Sequence, residues 1–133
     1  MTLTDPVTEV PAASPEVALA HFSRKLEFET DCSDVHAALQ SGSAGFALID
    51  VRGRQAYANG HVAQAINIPL RTITEERLQE YPNSNLFVVY CAGPHCNGAN
   101  KAAIRLARLG RPVKEMIGGI TGWIDEGLPL MKS

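Results

Sequence analysis

The chain has 133 residues, of which 45% are apolar and 20% charged, with twelve Lys+Arg against fourteen Asp+Glu. A single domain of this length buries enough surface to fold without metal or disulfide staples, and the composition excludes a disordered chain, a coiled coil and a collagen-like fibre. The net charge of −2 leaves no basic footprint for nucleic acid, and no apolar run approaches the roughly 18–20 residues that cross a bilayer, so neither is an expected partner.

The start, MTLTDPVTEVPAASPE, has neither the basic nor the apolar region of a secretory signal. Three cysteines are too few for a disulfide scaffold, so reduced thiols and a cytoplasmic location are expected. Charge is uneven along the chain: residues 1–50 hold eight acids and two bases, and residues 51–133 hold six acids and ten bases. Two oppositely charged faces that attract each other are the plainer reading. A basic half facing an anionic substrate is the sharper one.

Residues 1–13 contain two prolines and few large apolar groups, which predicts a disordered tail. Ser14-Pro15-Glu16 has the cap, first-turn proline and acid of a helix start. An N-terminal extension helix is therefore expected over 14–25, with the main domain over 26–133. LEFET (26–30) suits a short strand, and Ser33-Asp34 opens a helix stopped by Gly42. GFALIDV (45–51) has the unbroken apolar run of a strand buried on both faces. AINIP (65–69) is a short strand, TEERLQEY (74–81) a helix capped by Thr74, and NLFVVYC (85–91) the strongest strand. A loop, AGPHCNG (92–98), leads to a helix over 99–109. Its Lys101, Arg105 and Arg108 form one polar stripe, and its Ala, Ile and Leu residues predict burial around the rest. VKEMI (113–117) is a last strand, followed by a turn and short helix in GGITGWIDEG (118–127). Strands alternating with helices predict an α/β layered fold with a mainly parallel sheet.

Ligands bind at the carboxyl ends of such strands. There the sequence places Asp50, Cys91 and Gly118-Gly119. Cys91 runs straight into the glycine-bearing loop and a helix N-terminus. Inward-facing amides of Ala92, Gly93, His95, Cys96, Asn97 and Gly98 would form an anion-binding nest, strengthened by the helix dipole. A sulfur at its centre is expected as a thiolate, with a pKa below the free value of about 8.5. Cys96, in the same loop, either has no redox role, or relays sulfur, or resolves a modified Cys91 as an intraloop disulfide, provided the two Cα atoms come within about 7 Å. Asp50 and Arg52 are expected as a supporting ion pair, His61 as a hydrogen-bonded structural histidine and Trp123 as a core anchor. Cys32, in a turn without a cradle, is expected to be inert. A zinc site from Cys91, His95 and Cys96 lacks a fourth ligand at suitable spacing, so no metal is expected.

LIDVR (48–52), GHVAQAINIPL (60–70), VVYC (88–91) with its glycine loop, and MIGGITGW (116–123) together resemble the rhodanese-like, single-domain sulfurtransferase family. The resemblance implies a five-stranded parallel sheet flanked by helices, with Cys91 as the catalytic cysteine. It implies transfer of a sulfane sulfur from thiosulfate or a persulfide to cyanide or a thiol through a Cys91 persulfide, with no cofactor. The binding groups would be the amides of 92–98 with the side chains of His95, Cys96 and Asn97. Many members carry the loop C-x-x-G-x-R-S. Here CAGPHCNG has neither Arg nor Lys, and Ala102-Ala103 lies two residues farther on, which predicts a longer loop and weakens thiosulfate as the donor. Asn97 stands where phosphatases of this fold need the arginine of C-x5-R. The alternatives are a non-catalytic or regulatory binding module, for which the helix over 14–25 offers a surface to a homodimer or protein acceptor, and a Cys91/Cys96 redox sensor.

Overall fold

The computed structural model describes residues 5–42 and 45–133. Residues 1–4 of the expected tail, and residues 43 and 44, lie outside the described residues. Residues 5–14 are exposed, with a turn in which the Asp5 carboxylate accepts from the amides of Val7 and Thr8.

Helix α1 (Pro15–Phe28) begins as the sequence indicates: Ser14 Oγ accepts from the Val17 amide and proline occupies the first turn. It runs three residues beyond the expected end. Leu26, Glu27 and Phe28 contain no breaker, and Leu and Glu favour helix, so strand β1 shrinks to Glu29–Asp31. None of its residues is buried, and Leu19, Phe22 and Leu26 are among the large apolar side chains it exposes. Helix α2 (Cys32–Ser41) starts earlier than Ser33: Asp31 is its cap, accepting from the Asp34 amide at 2.8 Å. Cys32 is thus in the first helical turn rather than in a preceding turn.

Strands β2 (Phe46–Asp50), β3 (Ile66–Asn67), β4 (Leu86–Tyr90) and β5 (Val113–Ile117) complete the sheet, and helix α3 (Arg54–Asn59) lies between β2 and β3. All five strands are parallel, in the order β1-β5-β4-β2-β3. Side chains alternate between the two faces. Ile49, Phe87 and Val89 pack on one side with Ala99, Ala102 and Leu106 of helix α4 (Gly98–Arg108). Leu48, Val88 and Tyr90 pack on the other with Val35 of α2 and Ile120 and Trp123 of helix α5 (Gly119–Asp125). The sheet is therefore covered by helices on both faces, as expected of an α/β layered fold.

Two expectations fail. Residues 75–80 form successive turns, not a helix. Thr74 caps the segment by accepting from the Arg77 amide, but the amides of Gln79 and Tyr81 bond three residues back, to Glu76 and Leu78, instead of four, so the chain closes tighter turns than an α-helix. The buried Arg111 guanidinium holds the end of the segment, donating to the carbonyls of Leu78, Tyr81 and Pro82. Helix α4 buries only one face, and Ile104 and Leu109 are exposed. Among the described residues the oppositely charged halves meet in one ion pair, Asp50–Arg52 at their boundary, while Lys25–Glu29 and Arg77–Glu80 each lie within one half.

The connections leaving β2 and β4 run to opposite sides of the sheet, so the crevice at their carboxyl ends is the switch point where α/β folds place ligands. Asp50 ends β2, and Cys91 follows β4 directly.

Candidate active site

Burial of Tyr90 at the end of β4 fixes where the chain leaves the sheet. Cys91 and Ala92 are then tied to the start of α5. The Ile120 amide donates to the Cys91 carbonyl at 3.0 Å, and the Thr121 amide and hydroxyl both donate to the Ala92 carbonyl at 2.9 Å. This approach requires glycine at 119. Its φ is 58°, and a Cβ there would overlap the Cys91 carbonyl oxygen and sit 2.9 Å from the Gly93 nitrogen. Gly119→Ala is expected to lower stability by about 3 kcal/mol, combining left-handed strain with backbone overlap. Urea unfolding measures the loss, and Cys91 alkylation should change with it because the loop must move.

The loop then curls back. The Cys96 amide donates to the Gly93 carbonyl at 3.0 Å, and Cys96 Sγ comes to 2.8 Å from Cys91 Sγ. Gly98, the first residue of α4, lies against both sulfurs: a Cβ would sit 2.7 Å from Cys91 Sγ, and its amide donates to Cys96 Sγ at 3.5 Å. The expected curled loop is present, and it juxtaposes the two cysteines.

The expectation of a depressed Cys91 pKa is overturned. Burial and the hydrogen bond shared with Cys96 push the Cys91 thiol up to about 11, against a smaller opposing pull from the Ala92 amide. Cys96 moves down, through the hydrogen bond from Cys91 and then the Gly98 amide. The reason is geometric. Pro94 has no amide hydrogen, and the Cys96 amide is used inside the loop, so few dipoles reach the buried Cys91 sulfur. The less buried Cys96 is thus the more readily ionised of the two, and it accepts the Cys91 S–H. At neutral pH, limited iodoacetamide should therefore label Cys96 before Cys91, with Cys91 overtaking only as the pH nears its raised value. Peptide mapping against pH reads the order, and faster labelling of Cys91 at neutral pH would contradict it.

Cys91 and Cys96 form part of the wall of a cavity of about 210 Å3, completed by Gly93, Pro94, Ala99, Asn100 and residues 115–119. On the far wall Asn100 Nδ2 donates to Glu115 Oε1 at 2.8 Å. Ala92, His95 and Asn97 instead line an outer depression beside Cys96, so the two predicted side chains His95 and Asn97 stand outside the Cys91 cavity. Nothing local in the sequence marks Asn100, Glu115 or Thr121 as site residues. The pairing of Val89 with Glu115 on adjacent strands is the feature that carries Glu115 toward the site.

Asp50 is fully buried and holds Arg52. Its Oδ1 accepts from the Arg52 amide (2.9 Å) and Nε (3.1 Å), and its Oδ2 accepts from Nη2 (2.7 Å), which also donates to the Gly60 carbonyl. The pair lies at the end of β2 beside Tyr90 and does not line the cavity. His61 Nδ1 donates to the Tyr57 carbonyl at 2.8 Å and its ring stacks on Tyr57. Trp123 is buried, and its indole N–H donates to the Pro129 carbonyl. Cys32 is buried, within 3.6 Å of the carbonyls of Ile117 and Gly119, and burial raises its pKa to about 11.

Among known structures, the BH2092 protein from Bacillus halodurans superposes with a TM-score of 0.86 and 39% identity, covering 90% of this chain and 87% of that one. The HTH-type transcriptional regulator Rv0324 of Mycobacterium tuberculosis is 40% identical over 84 residues, 62% of this chain and 36% of the regulator. The adenylyltransferase and sulfurtransferase uba4 of Ogataea parapolymorpha is 27% identical over 121 residues, 86% of this chain and 31% of that protein. The chain thus spans about a third of the length of the curated relatives it matches. The family model for the rhodanese-like domain matches residues 31–126, from the cap of α2 to the end of α5, and the chain belongs to the rhodanese-like domain family.

Proposed function

We propose that the protein is a sulfurtransferase in which Cys91 accepts a sulfane sulfur as a persulfide and passes it to a thiol. The observation that carries this reading is the Cys91 sulfur at the tip of β4, facing a cavity and 2.8 Å from a sulfur able to take its proton. The sulfurtransferase in the name of the fungal relative supports it. Cys91 S–H gives its proton to the Cys96 thiolate as Cys91 attacks the outer sulfur of the donor. The donor's S–S bond breaks, and Cys96 returns the proton to the departing thiolate, so the pair regains its charge. This is covalent catalysis with an adjacent base.

A small persulfide suits the site better than thiosulfate. The loop has no Arg or Lys, and a carboxylate, Glu115, stands on the cavity wall. A dianion would meet no fixed cation there. A cytoplasmic setting would keep both thiols reduced.

Initial rates with glutathione persulfide and with thiosulfate, each against a thiol acceptor, test the reading. Parallel double-reciprocal lines and a higher kcat/KM for the persulfide are expected. No turnover of either donor, with no sulfur retained by the protein, would leave the binding-module reading in its place.

A further inference from the structure

We propose that Cys96 resolves the Cys91 persulfide, expelling hydrosulfide and closing a Cys91–Cys96 disulfide that an external dithiol reductant must reopen. The inference rests on the sulfur-transfer reading and adds the fate of a Cys91 persulfide that meets no acceptor thiol: hydrosulfide leaves, and a reductant with two thiols restores the site.

The geometry carries it. Cys96 Sγ sits 2.8 Å from the sulfur that becomes the inner atom of the persulfide. The turn from Gly93 to Cys96 holds it there by a backbone hydrogen bond, and the first amide of α4 contacts it. No loop movement is needed to bring the second thiol within reach, whereas an external acceptor must enter the cavity.

The atoms balance. After the first transfer the site holds Cys91–S–SH and the Cys96 thiolate. The Cys96 electron pair forms a bond to Cys91 Sγ, and the Cys91 S–S bond breaks toward the outer sulfur, which leaves as HS⁻. The sulfane sulfur is reduced to sulfide, and the two cysteines are oxidised to a disulfide. A dithiol then returns both cysteines to thiols and becomes a disulfide itself. Attack on the outer sulfur would instead move the persulfide to Cys96 and expel the Cys91 thiolate. Burial makes that thiolate a strong base, raised to about 11, and therefore the poorer leaving group.

The experiment mixes reduced full-length protein with one equivalent of glutathione persulfide, with no other reductant, and follows released hydrosulfide, intact mass and fragment masses. Wild type should release about one hydrosulfide per chain and end as a Cys91–Cys96 disulfide, which added dithiothreitol reverses. Cys96→Ser and Cys96→Ala should take up sulfur more slowly and keep it on Cys91, releasing hydrosulfide only when a thiol is added. A stable Cys91 persulfide in wild type without disulfide would overturn the inference and leave the transferase reading standing. A persulfide found on Cys96 would overturn it in favour of a relay. No sulfur uptake by wild type or either Cys96 variant would overturn the transferase reading itself.

Discussion

Cys91→Ser is expected to abolish persulfide formation and to lower sulfur-transfer turnover by roughly a thousandfold or more, the scale of losing a covalent nucleophile. The hydroxyl has nearly the same size, so the cavity, the Gly98 contact and the carbonyl links to Ile120 and Thr121 should survive. The melting temperature should therefore move little while activity vanishes. The variant also removes the S–H that donates to Cys96, so alkylation of Cys96 should change as well. Turnover of Cys91→Ser within tenfold of wild type would show that another group carries the sulfur.

Asp50→Ala should have the largest effect on stability. Asp50 is fully buried, and the Arg52 side chain is only 12% exposed. Without the carboxylate, the guanidinium keeps the Gly60 carbonyl and the Tyr90 ring but loses its counter-charge. Breaking a buried pair from one side costs about 3–5 kcal/mol, a large share of the roughly 5–15 kcal/mol that holds a domain together. Replacing both Asp50 and Arg52 should cost less than the sum of the two single changes, because no buried charge is then left alone. A loss below about 1 kcal/mol for Asp50→Ala in urea unfolding would contradict the assignment.

The elements legible in the sequence are those whose signals are local. GFALIDV and NLFVVYC read as buried parallel strands because unbroken apolar runs between turn residues allow little else, and they appear as β2 and β4. The glycine after strand VKEMI marked the sharp turn at Gly118-Gly119, where the structure needs a left-handed backbone. The segment 74–81 misleads because its cap and acidic first turn signal a helix locally, while its last carbonyls and that of Pro82 are drawn to Arg111, about thirty residues away. The end of α1 misled because nothing within LEFET marks where helix yields to strand.

The site was half legible for the same reason. Position 91 follows from strand and loop, and the curled loop from its glycines. The ionisation of Cys91 does not, because burial and a second sulfur outweigh the local peptide dipoles. Glu115 and Asn100 enter the cavity only through the pairing of β4 with β5 and the placing of α4.

Locating the transferred sulfur atom shows directly whether Cys91 carries it. Cys96→Ser protein is loaded with a persulfide donor carrying isotopically labelled outer sulfur, quenched with an alkylating agent, and sequenced by fragmentation between residues 91 and 96. Labelled sulfur is expected on Cys91 in near-stoichiometric amount; label on Cys32, or none on the chain, would mean that Cys91 does not carry the sulfur.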